Sequence, residues 1–413
     1  MSKEDSLYQK AAAIHKRIIS VDTHADIDVQ NFTRDQNYAQ ADFWTQVSLP
    51  RMEEGGLDAL FLIVYTAQGE LTPRGYQKAY ALADAKFRAI HRLVEEIAPD
   101  RAELATTSKE VRAIHKKGKR ALLIGVENGY PIGEDLTKIK EFYDRGARYM
   151  SLTHNGHNQL ADSHTGEENG EWLHHGLSLL GKEVIAELNR LGMLIDLSHL
   201  AQNSNRQILE LSKAPVVATH SAARALNDVS RNLWDEELLA VKAKGGVVQV
   251  IASPRFLNGK KDALHKKAIA PILRQTAEEK GMIPLVWADR KTHPFGSDGA
   301  FLNRYRALVR EAMPRIQKEV FPSAPPVSVE DLVDHIDYMV RLMGIDHVGI
   351  GSDFDGGGGV YRWDDPSESL QVTLELVKRG YREEEIRKLW GENFLNVMDR
   401  VQRIAQEIQS VKG

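Results

Sequence analysis

The sequence predicts an α/β fold, a (β/α)8 barrel of the TIM type with a long helical insertion between its seventh and eighth strands. Three observations lead there. Short β-branched runs alternate with longer segments of helical period, the pattern of parallel strands joined by crossover helices. The runs number eight, at residues 18–22, 59–64, 121–126, 147–153, 194–198, 216–219, 247–251 and 347–352. Several of them stop on His, Asp or Glu, and strands can aim such scattered endings into one space only if they close into a barrel.

The intervening helical segments, at residues 73–97, 181–191, 202–211, 233–243 and 330–343, would form the outer ring. About ninety residues separate the seventh and eighth runs, far more than a βα connection usually needs. Composition there turns basic and then aromatic, with helical patterns near residues 262–279 and 300–320. This insertion, about residues 254–328, is expected over the barrel mouth as a lid or subunit contact, so residues 1–413 read as one domain. Residues 356–359 are four consecutive glycines, a flexible loop after the last strand.

Composition narrows the function. Hydrophobic residues make up 42% of the chain, enough for a large core, and the net charge of -4 is spread along it. No basic face recommends nucleic acid and no polybasic segment recommends anionic lipid, so a small molecule is the expected partner. There is no cysteine, so any metal must be held by nitrogen and oxygen. Residues 1–17 are charged and amphipathic, unlike a signal peptide or a membrane span. The chain as it stands reads as cytoplasmic, or as periplasmic or secreted if a signal peptide has been removed.

The chemistry sits at the strand ends. His24 and Asp26 follow the first run two residues apart, on one face of an extended backbone, where they can grip one cation. Alone, the pair reads more readily as a packed histidine beside a capping aspartate. Glu127 ends an apolar run, where a carboxylate is costly unless a cation or a donor meets it. It could bridge two metals, or serve as a helix cap or buried ion-pair partner. His199 and His220 end successive strands at matched positions, which favours a metal, and Asp353 after the last strand is placed to deprotonate a bound water.

These stretches resemble the membrane or renal dipeptidase family of the metal-dependent amidohydrolases. The matching segments are residues 22–26 (DTHAD), 125–128 (GVEN), 151–154 (SLTH), 191–199 (LGMLIDLSH), 220–226 (HSAARAL), 230–232 (SRN) and 344–356 (GIDHVGIGSDFDG). The resemblance implies a binuclear zinc dipeptidase. His24 and Asp26 would hold one zinc, His199 and His220 the other, and Glu127 would bridge them, with the water between the metals as nucleophile. It further implies that Asp353 shuttles the proton, that His154 binds the scissile carbonyl and its oxyanion, and that Arg231 binds the substrate's free carboxylate. The substrates would be L-Xaa-Xaa dipeptides with an L- or D-configured second residue, and a homodimer is possible within the family. A superfamily hydrolase of another amide, lactone or ester, or a non-hydrolytic tailoring protein, is the alternative. The sequence departs from the family's pattern at residues 248–253, which lack its aromatic residues, and at 27–30, which lack its Leu-Pro continuation.

Among the other polar residues, His335 and Asp337 are expected to fix packing, His347 to lie away from the rim, and His157, His164, His174 and His175 to border the pocket without being ligands. Asp22 is expected to support the site from behind.

Overall fold

The computed structural model describes residues 3–41, 43–292 and 298–411. Eight parallel strands run in the order β1 (Val21–Asp26), β2 (Ala59–Tyr65), β4 (Arg120–Glu127), β5 (Ala147–Ser151), β6 (Leu194–Asp196), β7 (Val217–Ser221), β8 (Val247–Ile251) and β9 (Val348–Gly351). A short strand β3 (Ala102–Leu104) pairs with the outer start of β4. The sheet closes just past its regular ladder: Ala25 bridges Phe354, Asp26 N–H donates to Phe354 O at 2.9 Å, and Asp353 N–H donates to His24 O at 3.1 Å.

The strands are apolar on both faces because helices cover the outside and side chains fill the inside. In β4, RALLIGVE, every residue after Arg120 is buried. One buried cluster lies between sheet and helices, and a second fills the barrel, where Phe61, Leu123, Tyr149 and Val217 meet Phe394 of the helix Asn393–Ser410. That helix stoppers the end opposite the strand C-termini: the Phe394 ring meets Phe61 edge-on at 5.3 Å. The long connection after β8 holds two helices, Gly259–Lys280 and Asp298–Glu319, with an apolar cluster of their own that includes Leu273, Phe301, Leu308 and Ile316.

Several strand boundaries differ from the sequence reading, the first strand's most. The first ladder begins at Val21, because the residues up to Ile18 close the turn that ends the first helix (Ile18 N–H donates to Ile14 O at 3.2 Å), and Ser20 and Asp58 exchange side-chain bonds just before it (Ser20 N–H to Asp58 Oδ2 and Asp58 N–H to Ser20 Oγ, both 3.0 Å). His24 and Asp26 therefore lie on β1 and not beyond it. At the other end, Ile345–His347 forms a 3-10 turn, so the last strand starts at Val348. Among the described residues no helix is long and apolar enough to cross a membrane.

Candidate active site

Strand direction brings the polar endings to one rim. Asp26, Glu127, His154, His199, His220, Arg231 and Asp353 all line one cavity of about 1230 Å3, and His24 is buried directly beneath. The helical insertion supplies much of the opposite wall, including Trp287, Tyr305 and Arg306. Three residues leave their strands with left-handed φ, Asn128 at 75°, His199 at 74° and Asp353 at 60°, a strained conformation that turns their side chains sharply at the rim.

Glu127 is the centre of the arrangement. Its Oε2 lies 3.6 Å from His24 Nε2, while Oε1 lies 3.0 Å from His199 Nε2 and 3.3 Å from His220 Nε2. Asp26 Oδ2 and Asp353 Oδ1 lie 3.7 and 3.9 Å from His24 Nε2. His154 offers a ring nitrogen within 4.8 Å of the facing atoms of Glu127 and His199.

The outer nitrogens of the three histidines explain why the inner ones converge. The Tyr149 hydroxyl donates to Thr23 O at 3.0 Å, so toward His24 Nδ1, 2.9 Å away, it can only accept. His24 thus carries its hydrogen on Nδ1. The same logic holds at His220: Thr219 Oγ1 donates to Asp196 Oδ2 at 2.6 Å and accepts from His220 Nδ1 at 2.9 Å. His199 Nδ1 donates to Asn155 Oδ1 at 3.2 Å. Each ring is held so that Nε2 turns inward, the arrangement by which proteins orient metal-binding imidazoles.

This donor set fits metal ions. His24 Nε2 is fully buried with no hydrogen-bond partner among the described residues. The Nε2 atoms of His199 and His220 are 3.0 Å apart, close to the roughly 3.3 Å separation of two imidazole nitrogens on one tetrahedral zinc. Burial, with Arg231 nearby, holds both these histidines well below the usual histidine range, hence neutral and able to coordinate. Burial also opposes charge on His24 and Glu127, yet their mutual attraction prevails: His24 is held well above its usual value and Glu127 well below. A cation there would take over the role of the His24 proton.

Two further groups face the same space. Burial pushes the Asp353 carboxyl up to about 8, with Asp26 and Glu127 adding to the effect and His24 opposing it. Gly356 lies so close that an added Cβ would overlap the carboxylates of Asp26 and Asp353. Arg231 is buried, donating from one terminal nitrogen to Ser221 Oγ at 3.0 Å and from the other to His220 O at 2.8 Å. Its Nε has no partner, and no carboxylate forms an ion pair with it among the described residues. Burial brings its pKa down to about 10, a cost that an incoming anion would relieve.

The family model for membrane dipeptidase, peptidase family M19, matches residues 8–412. The chain belongs to that family. Among its relatives, the dipeptidase aclJ of Aspergillus oryzae is 29% identical over 92% of this chain and 74% of its own length. The crystal structure of the probable dipeptidase PvdM from Pseudomonas aeruginosa matches with a TM-score of 0.77 and 31% identity, covering 97% of this chain and 99% of that one. A Rhodobacter sphaeroides metallo peptidase, solved with a phosphinate mimic of L-Ala-D-Ala, shares the fold at a TM-score of 0.69 and 23% identity, covering 93% and 99%. As a member of the M19 family this protein is a dipeptidase-like hydrolase of a metallopeptidase class.

The residues read as bland stand apart from the centre. His335 accepts from Ala223 N–H at 3.1 Å and meets Leu257 O at 2.9 Å, a packing role, and His347 Nδ1 lies 2.8 Å from Gly246 O. His164 lies behind the rim, bonded to Ser230 and Asn155. Asp22 Oδ1 accepts from Ser352 N–H at 2.8 Å, bracing β9 beneath Asp353. Tyr149, Thr219, Asp196 and Asn155, which orient the histidines, were not singled out from sequence. One signal was present: Gly125 pairs with Tyr149 across β4 and β5, and any larger residue there would strike the Tyr149 ring.

Proposed function

We propose that this protein is a binuclear zinc dipeptidase, cleaving L-Xaa-Xaa dipeptides whose second residue, L or D, carries a free carboxylate. The observation that carries the reading is the division of Glu127, one oxygen toward His24 and the other toward His199 and His220. In this reading His24 and Asp26 would hold one zinc, His199 and His220 the second, and Glu127 would serve both. Such a pair supplies an activated water and polarises the scissile carbonyl. Asp353, whose Oδ1 lies 3.9 Å from His24 Nε2 at the same rim, takes the proton and returns it to the leaving amine. His154 donates to the carbonyl oxygen as charge develops there. The Arg231 guanidinium holds the C-terminal carboxylate, which restricts cleavage to dipeptides. The relatives described as dipeptidase and probable dipeptidase support the same substrate class. The helical insertion, within a single domain, walls the mouth so that a short substrate is enclosed.

The test is metal analysis of the purified protein together with hydrolysis of a library of L,L and L,D dipeptides. Close to two zinc per chain are expected, with activity lost to chelator and restored by zinc. An active protein with one metal would reject the shared role of Glu127. Failure on every dipeptide would move the reading to a hydrolase of another amide, lactone or ester.

A further inference from the structure

Lys86 is a buried cation that the proposed chemistry does not use. It belongs to the helix Pro73–Arg92, is only 6% exposed, and lines the same cavity as the histidines and carboxylates. Its ammonium sits 5.3 Å from the centre of the Tyr65 ring at the end of β2, and it has no hydrogen bond or ion pair with any described residue. Asp26, Glu127 and Asp28 favour its charge from a distance, while burial opposes it. Two of those three carboxylates are the ones assigned above to metal ions, and once engaged they leave only Asp28 to favour the ammonium from a distance. A buried lysine without a counter-charge is expensive unless an anion arrives.

Its position says which part of a substrate that anion belongs to. In the barrel's order β2 is second and β7 sixth, four places apart in a ring of eight, and therefore on opposite sides. Arg231 bonds to the end of β7 at His220 and Ser221. A dipeptide with its C-terminal carboxylate on Arg231 and its amide over Glu127 and His154 directs its first residue across the barrel, toward β2 and Lys86.

We propose that Lys86 is a specificity-determining residue whose ammonium receives a negatively charged group on the substrate's first residue, so that dipeptides beginning with Glu or Asp are preferred. This rests on the dipeptidase reading above. One charge-assisted hydrogen bond corresponds to about a 10- to 100-fold preference in kcat/KM for Glu-Ala over Gln-Ala. Lys86→Met should lower Glu-Ala cleavage more than Gln-Ala cleavage and bring the ratio near one, Lys86→Arg should keep the preference, and Lys86→Glu should favour Lys-Ala. Calorimetric binding of reduced-amide analogues of Glu-Ala and Gln-Ala gives a readout independent of turnover, with a similar affinity gap expected in the wild type and absent in Lys86→Met. Should the methionine variant not fold, the wild-type ratio and Lys86→Arg decide. Equal cleavage of both dipeptides by the wild type, or a Lys86→Met loss that leaves the ratio unchanged, would overturn the role of Lys86 while leaving the dipeptidase reading intact. Hydrolysis of no dipeptide and binding of neither analogue would overturn both.

Discussion

Replacing Tyr149 with phenylalanine should weaken zinc binding by about 10- to 100-fold, or about 1.4 to 2.7 kcal/mol, without unfolding the barrel. The hydroxyl is committed twice, donating to Thr23 O at 3.0 Å and accepting from His24 Nδ1 at 2.9 Å. Its removal frees the His24 ring to turn or to move its hydrogen to Nε2, the nitrogen that faces Glu127. The phenyl ring itself should stay, because it fills the space left by Gly125 and packs 5.1 Å from Phe61. Thr23 O and the His24 Nδ1–H each lose a buried partner, worth about 1–3 kcal/mol apiece, and part of this is recovered because no hydroxyl need be buried. A net cost of about 2 kcal/mol in a chain of 413 residues corresponds to a fall of roughly 2 °C in Tm. Competition against a zinc-binding dye gives the affinity and a thermal melt of the chelated protein gives the stability. An affinity within about twofold of wild type would refute the argument that this hydroxyl fixes the ligand geometry.

Arg231→Ala should raise KM for dipeptides by about 10- to 100-fold with a smaller change in kcat, and unchanged kinetics would place carboxylate recognition elsewhere. The chelated protein should melt at a lower temperature at pH 8 than at pH 6.5. Asp353, raised to about 8, and His24, held well above its usual value, bind their protons more tightly when folded, so the stability they contribute is lost as pH rises through that window. Below about pH 6.5 the depressed His199 and His220 act in the opposite sense. Scanning fluorimetry with and without zinc tests this, and a chelated profile that is flat or rising from pH 6.5 to 8 would contradict it. Gly356→Ala, whose new methyl would overlap Asp26 and Asp353, should lose most activity at near-native helix content measured by circular dichroism; full activity would mean the two carboxylates are free to move apart.

The parts of this protein legible in its sequence are those governed by local pattern. The helix read at residues 202–211 is Gln202–Leu211, and the two helices of the insertion fall within a few residues of their periodicity. His199, His220 and Glu127 stood out because a polar group ending a buried run is costly, and the fold brings them to one point. The first strand was placed too early because Ile18 is buried like a strand residue although its N–H closes the turn at the end of the first helix. Strand β3, three residues long, is too short to show a period. Apart from the glycine at Gly125 opposite Tyr149, nothing marked Tyr149, Thr219 and Asn155, because what matters in each is which nitrogen of a distant histidine it meets, and that depends on register between strands. Nothing local in the sequence marks Lys86, since the cavity that buries it is formed by segments far away in the chain.

The seam between the first and last strands has a bearing on how the molecule is assembled. Ser352 donates to Asp22 across a separation of 330 residues, and the two main-chain bonds that join β1 to the segment after β9 lie beside His24, Asp26 and Asp353. His24 and Asp26 stand on β1 and Glu127 on β4, so a cation held between them would add a cross-link beside a seam otherwise joined by a few amides. A nascent chain emerging from the ribosome makes His24 and Asp26 early and waits for nearly all the rest before their facing wall exists. Metal held by His24, Asp26, Glu127, His199 and His220 would have its last ligand at residue 220, and its binding energy would add to the stability of the closed cylinder.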